Sequence, residues 1–423
     1  MLLHYGCSKK LSGAEQGLNE KLKFTESGYY NAIKSSFNDE TLLKDSSFQY
    51  LDTLKDFYTA KHFRPLILKS YEEKSFVDSV LAIFKESVEH GLDPEQYHLS
   101  LISADFYRSI NDTLNNTDRL KLLAGSELML ADGIVKYAWQ MRYGVVDPRI
   151  IFPNSYYLPV PDSSKRDLFE PVKKNDIVQY LYSIQPKSKN YKRLQAALEQ
   201  FRTYKNLEWG DIPAVNKKIA PGDNYPDIKL IADRLFELGL LDTSRVKLNN
   251  LTVYDSLLLE PVKKFQRLNG LNDDGVIGKG TIDKLNVKPE EYIKKIKINL
   301  ERLRWIDYSD SSRYIAVNIP DFRLRAFENK KELFNMKVCT GRKRPANFER
   351  RLEVYKKTKR IWDRPDDWET PCMFGEISNL ILNPTWTVPK NIIREEILAG
   401  IRKDPEYLLD KNFKVYKDGA EIN

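Results

Sequence analysis

The chain has 423 residues, of which 41% are hydrophobic and 30% charged, with a formal net charge of +8. This length suits about three domains, and the apolar content supports ordinary packed cores. No apolar run reaches the roughly 18 residues of a membrane-spanning helix, and three cysteines without a CxxC pair exclude a zinc ribbon or a disulfide scaffold.

The start, Met1 to Lys10, is shorter than a secretory signal peptide. Gly6-Cys7 nevertheless resembles the end of a lipoprotein signal, where a small residue precedes the lipidated cysteine. Cys7 is therefore a candidate lipidation residue and lipid anchor, beside the plainer reading of a free cysteine on a frayed end. Residues 8–45 are polar with little apolar periodicity, as expected of a tether. From about residue 46 the pattern turns helical. Phe76, Val80, Ile83 and Phe84 share one face, and Gly91 offers a stop after His90. Leu120 to Trp139 is a long amphipathic stretch ending near Gly144. Asp176–Tyr182 and Tyr191–Tyr204 are two further helices, separated by Gln185-Pro186-Lys187-Ser188.

Pro213 and Pro221-Gly222-Asp223 mark a boundary. A compact helical unit follows. Ile228, Ile231, Leu235 and Leu238 lie on one face before Gly239; Leu258, Val262, Phe265 and Leu268 form a second helix up to Asn269-Gly270. Pro261 predicts a late start or a kink in that helix. Asp274-Gly275 and Gly278 are expected turns, and Thr281 is the expected cap of a short third helix. Glu290 to Trp305 reads as a charged connector helix. After Ser312 the period falls to two, giving strands at Tyr314–Ile319, Phe322–Phe327 and Leu333–Cys339. Lys356–Asp367 reads as a charged loop, Ile377–Asn383 as another strand, and Lys390–Ile401 and Asp404–Asp410 as helices. Lysine and arginine look interspersed with acids, as at Asp118-Arg119 and over Glu290–Lys295. Solvated helix faces are thus expected, with no nucleic-acid partner; attraction to an anionic cell surface stays open.

The run from Val262 to Thr281 combines Phe265-Gln266, Gly270-Leu271, Asp274-Gly275, Gly278 and Thr281 at a fixed spacing. It resembles the three-helix peptidoglycan-binding module of cell-wall enzymes. Asn299–Trp305, Tyr314–Phe322, Lys337–Arg342, Glu369-Thr370-Pro371 and Leu382-Asn383-Pro384-Thr385-Trp386-Thr387-Val388-Pro389 resemble the opening of an L,D-transpeptidase catalytic domain. Ser87–Tyr97 and the segment through Gly144, Asp147 and Pro148 resemble the scaffold domain of the larger members.

The resemblance implies a multidomain α+β chain. Its parts would be an N-terminal tail (1–45), a mostly helical scaffold (46–214), a peptidoglycan-binding-like domain (215–288) and a mostly-β catalytic domain with a helical lid segment (289–423). It also implies acyl transfer in the cell envelope: a cysteine thiolate, activated by histidine, attacks a stem-peptide carbonyl and passes the acyl group to a neighbouring amine. Peptidoglycan stem peptides would be the partner, with no cofactor and no metal. The family carries nucleophile and base in a late His-Gly-Cys-Val/Ile-Arg type motif preceded by another histidine.

All four histidines here, His4, His62, His90 and His98, lie in the first quarter of the chain. Cys339 and Cys372 are outside a nucleophile context; Cys339 is expected to fill a buried strand position as a small apolar residue. The catalytic domain is therefore expected to be C-terminally incomplete, with its motif beyond residue 423, and the chain inactive alone. Asn383 and Trp386 are candidate cleft residues, Trp386 being either a core or lid aromatic or a substrate contact, with packing the default. A non-catalytic peptidoglycan-binding protein is the competing reading. A hydrolase is disfavoured because the chain offers no histidine cluster for a metal.

Overall fold

The computed structural model describes residues 25–45, 48–65, 67, 76–109, 114–152, 155–160, 167–205, 209–242, 251–305, 312–329, 331–417 and 420–422. Cys7 lies outside them. The chain divides into two compact units, residues 1–373 and 374–423. Its helical and strand content is that of a multidomain α+β protein, with helices before residue 305 and strands mostly after it.

In the first unit, α1 (Glu26–Ser36), α2 (Leu51–Ala60), α3 (Phe76–Glu86), α4 (Leu99–Ser109), α5 (Asn116–Tyr143) and α6 (Ile177–Ser183) share one core. The tether expected over 8–45 is replaced, from Glu26, by a helix packed on α5. Tyr29, Ile33 and Phe37 bury one stripe four residues apart; the polar residues between them hid that period. Thr25 caps α1 through the Gly28 amide at 3.1 Å.

The 28-residue α5 is the central element, capped by Asn115 and ended by Gly144 at φ +83°. Two of its carboxylates, Glu127 and Asp132, are buried with partners. Glu127 accepts from the Tyr58 hydroxyl at 2.8 Å and the Ile67 amide at 3.2 Å. Asp132 accepts from the Tyr50 amide at 3.1 Å and lies 2.9 Å from His98 Nε2. Burial and the Asp132 charge push the Tyr50 hydroxyl up to about 12. Among the described residues, no helix is long and apolar enough to cross a membrane.

A second core joins α8 (Ile228–Glu237), α9 (Ser256–Leu268) and α10 (Lys279–Leu285) through Ile231, Leu235, Leu258, Val262, Phe265 and Ile282. Contrary to the late start expected from Pro261, α9 begins at Ser256, with the Asp255 side chain capping at the Leu257 amide, and runs through the proline. Packing of Leu258, Val262 and Phe265 outweighs the one backbone bond that proline removes. The cap of α10 is Gly278; Thr281 lies inside the helix.

Between these cores run α7 (Lys189–Tyr204) and the connector α11 (Pro289–Arg304), joined by Tyr191, Leu198, Ile296 and Leu300. Proline at the first position, Glu290 and Glu291 in the first turn and Arg302 and Arg304 in the last suit the α11 dipole.

The antiparallel meander β2 (Arg313–Asn318), β3 (Arg323–Glu328) and β4 (Lys331–Lys337) pairs Tyr314 with Phe327, whose rings stack 4.7 Å apart. Ala326 is its one buried apolar side chain among the described residues, while Ile315, Val317, Leu333, Phe334 and Met336 are exposed. The segment expected to be a charged loop, Lys356–Asp367, starts in the last residues of a helix, α12 (Phe348–Thr358), and is otherwise irregular apart from a short turn at Ile361–Asp363. A two-residue strand, β1 (Tyr156–Tyr157), reaches from the helical domain to pair in parallel with β5 (Cys372–Met373).

In the second unit, Ile377–Asn383 is not the expected strand but exposed irregular chain. Without a neighbouring strand to complete a ladder, apolar composition alone does not make one. Short helical turns follow from Lys390, and β6 (Val415–Lys417) pairs with β7 (Ala420–Ile422).

Candidate functional site

Three of the seven motif residues, Asp274, Gly275 and Thr281, meet the side-chain amide of a fourth, Gln266. Gln266, 1% exposed, accepts through Oε1 from the Gly275 amide at 2.9 Å. Its Nε2 donates to the Val276 carbonyl at 2.9 Å and to the Thr281 hydroxyl at 3.3 Å. Asp274 accepts from the Val276 amide at 2.9 Å, and that bond above all holds its carboxyl below the usual range. Gly270 and Gly275 take φ of +68° and +78°, which lets the chain turn back onto α9. Phe265 fills the core beneath. The spacing therefore encodes a self-satisfied turn around a buried glutamine.

Cys339 does not fill a buried strand position. Strand β4 ends at Lys337, and Cys339 lies beyond it, exposed. Cys372 is also exposed, and its amide donates to the Ser155 carbonyl at 2.8 Å as part of the β1–β5 pairing. Desolvation pushes its thiol up, with Arg302 opposing, which disfavours a thiolate. The buried histidines are engaged elsewhere: His98 with Asp132, and His90 Nδ1 with the Tyr191 hydroxyl at 3.0 Å. His62 is exposed on the loop after α2. Asn383, at φ +50°, and Trp386, 64% exposed, lie in the second unit, so Trp386 is not a core aromatic there.

A polar cluster that sequence reasoning missed ties the helical domain to the connector. The Arg304 side chain, 1% exposed, donates through Nη1 to the His90 carbonyl at 3.0 Å and the Tyr191 hydroxyl at 2.8 Å. Its Nη2 meets Glu301 at 2.5 Å. Glu301 in turn accepts from the Val145 amide at 2.6 Å and Trp305 Nε1 at 2.9 Å. Burial, then the Arg304 charge, depress His90 to about 3, so its ring is neutral where Nδ1 meets the Tyr191 hydroxyl. Gly144 is required here: a Cβ would stand 2.6 Å from Trp305 ring atoms, at a φ that already favours glycine. Tyr156 packs edge-on to Trp305 at 6.0 Å, beside β1.

Comparison with known families assigns these parts. Residues 52–198 match the "Scaffold domain" family and 224–285 the family described as "Putative peptidoglycan binding domain". Residues 312–422 match the "L,D-transpeptidase catalytic domain". Residues 312–422 are thus similar to an L,D-transpeptidase catalytic domain. The chain resembles a protein named "Putative L,D-transpeptidase" from Haemophilus influenzae, with 27% identity over 135 residues. That match covers 32% of this chain and 22% of the relative's length. The Arg304 cluster bridges the scaffold match to the stretch just before the catalytic match. The β1–β5 pair joins the scaffold match to the catalytic match itself.

Proposed function

We propose that the chain works at the peptidoglycan of the cell envelope, held there by residues 224–285, and that its chemistry is that of an L,D-transpeptidase. The observation that carries this is the succession of scaffold, peptidoglycan-binding and L,D-transpeptidase catalytic matches along one chain. We place the boundaries at 25–214, 215–288 and 289–423, the first beginning at 25 rather than 46 because the apolar stripe of α1 lies in that core. The stem peptides of peptidoglycan are the substrate class. Asn383 and Trp386 are kept as cleft candidates because both are open to solvent. A periplasmic location, with Cys7 as the candidate lipid-bearing residue, follows from the same reading.

The placement of the histidines favours a second element of the proposal: residues 1–423 do not by themselves cross-link. His90 and His98 are buried in scaffold contacts, and no histidine follows His98 in the sequence. The chain alone then binds wall material without forming bonds. Incubation with tetrapeptide-bearing sacculi, followed by muropeptide analysis, tests this. No new diaminoacid–diaminoacid cross-links are expected. Their appearance, and their loss on Cys339→Ser or Cys372→Ser, would overturn it. Sacculus pull-down is expected to weaken on deletion of 224–285.

A further inference from the structure

The positive charge of this chain is not spread evenly. Between Arg342 and Trp368 there are ten lysines and arginines against five acidic residues, in a protein whose total is +8. The segment is a closed excursion from the end of β4. Its base is pinned by the Arg342 amide on the Trp368 carbonyl at 2.8 Å and the Gly341 amide on the Thr370 hydroxyl at 2.6 Å. A Cβ at Gly341 would collide with the Trp368 carbonyl, so the two limbs touch at their backbones. Arg344 reaches Asp367 at 2.7 Å and Glu369 at 3.2 Å, and its guanidinium covers the Phe348 ring at 4.5 Å. Further out, Arg351 donates to the Arg364 carbonyl at 3.2 Å and Thr358 to Asp363 at 2.6 Å.

What this brace carries is exposed. Arg350, Lys356, Lys357, Lys359, Arg360 and Arg364 face solvent. Beside them stand Ile361 at 77% exposure and Trp362 at 71%, with the Arg360 guanidinium 5.9 Å from the Trp362 ring centre. A solvated helix face accounts for the cations but not for an aliphatic and an indole side chain held in water next to them. A soluble polyanion would be met by the cations alone and gives isoleucine nothing to bury. A bilayer surface satisfies both: phosphate headgroups for the cations, and the headgroup–acyl boundary for tryptophan and isoleucine.

We propose that residues 342–368 form an arm that docks on an anionic phospholipid bilayer, with Lys356, Lys357, Lys359 and Arg360 on headgroup phosphates and Ile361 and Trp362 in the interfacial layer. This goes beyond the peptidoglycan reading and is tested apart from it. The full chain is sedimented with vesicles of phosphatidylcholine alone or mixed with phosphatidylglycerol. Binding is expected only with phosphatidylglycerol, and it falls as salt rises toward about 1 M, where screening acts within ~3 Å. Reversing Lys356, Lys357, Lys359 and Arg360 to Glu lowers vesicle binding at least about tenfold. Trp362→Ala lowers it several-fold at fixed charge, and neither variant alters sacculus pull-down. Equal binding to neutral vesicles, or unchanged binding in Trp362→Ala, overturns the proposal. So does capture by dextran sulfate without capture by vesicles. Melting curves show whether the charge reversal folds; if it does not, Trp362→Ala alone decides.

Discussion

Arg304 keeps a full charge inside the protein because both terminal nitrogens of its guanidinium find acceptors, in His90, Tyr191 and Glu301. Removing it strands those acceptors in a dry site. Arg304→Leu is expected to destabilise the scaffold–connector junction by about 3 kcal/mol, read by urea unfolding; a change near zero would show the cluster to be dispensable. His90 adds a pH signature. The unfolded chain takes up a proton near pH 6.5, whereas the folded ring resists until about 3. Stability from this group is therefore complete above about pH 6.5 and is lost as pH falls toward 3, by at most about 1.4 kcal/mol per unit. His90→Asn, which retains an acceptor near Nδ1, should flatten that slope; an unchanged slope would assign it to other groups. None of this was legible in the sequence, because Arg304 and His90 are 214 residues apart. The turn motif was legible, since Gln266, Gly270, Asp274 and Gly275 act within a few residues of one another.

Local chemistry decided which elements could be read. Helices with capping side chains and one apolar stripe stand where their patterns put them, as in α6 and α7. Elements that depend on distant partners were misplaced: Ile377–Asn383 has strand composition but no strand beside it, while β1 is two unremarked tyrosines that pair with β5 across the chain. In α9, Pro261 denies the Leu257 carbonyl its usual donor. Pro261→Ala restores that donor and should raise the stability of the 224–285 module by about 1–2 kcal/mol, measured as an increase in its melting temperature. A decrease would mean that the proline ring contributes more to packing than its missing N–H costs.

Across the molecule, apolar residues are mostly covered before residue 305, with exceptions such as Ile150 and Leu268, and largely bare after it. Phe374, Ile377, Leu380, Ile381, Leu382 and Trp386 are all more than half exposed, in a segment with little regular structure. Limited chymotrypsin digestion should cut first within residues 374–386 and leave a large N-terminal fragment. First cuts inside α5 or α9 would contradict these exposures. The domain order was readable because three separate motifs lie in sequence along the chain. The arm was not, because its charge was averaged over 423 residues rather than mapped onto one braced excursion.

The parallel pairing of Tyr156 with Cys372 also bears on how the protein reaches this state. Its two strands are 216 residues apart, and contacts between such distant partners form late because the intervening chain must first be ordered. During refolding, the helical signal of the scaffold should recover before the Cys372 amide is shielded from exchange. Until then β1 is an open strand edge, a place where one copy can take up the β5 of another. Rapid dilution at high protein concentration is where such exchanged pairs should accumulate.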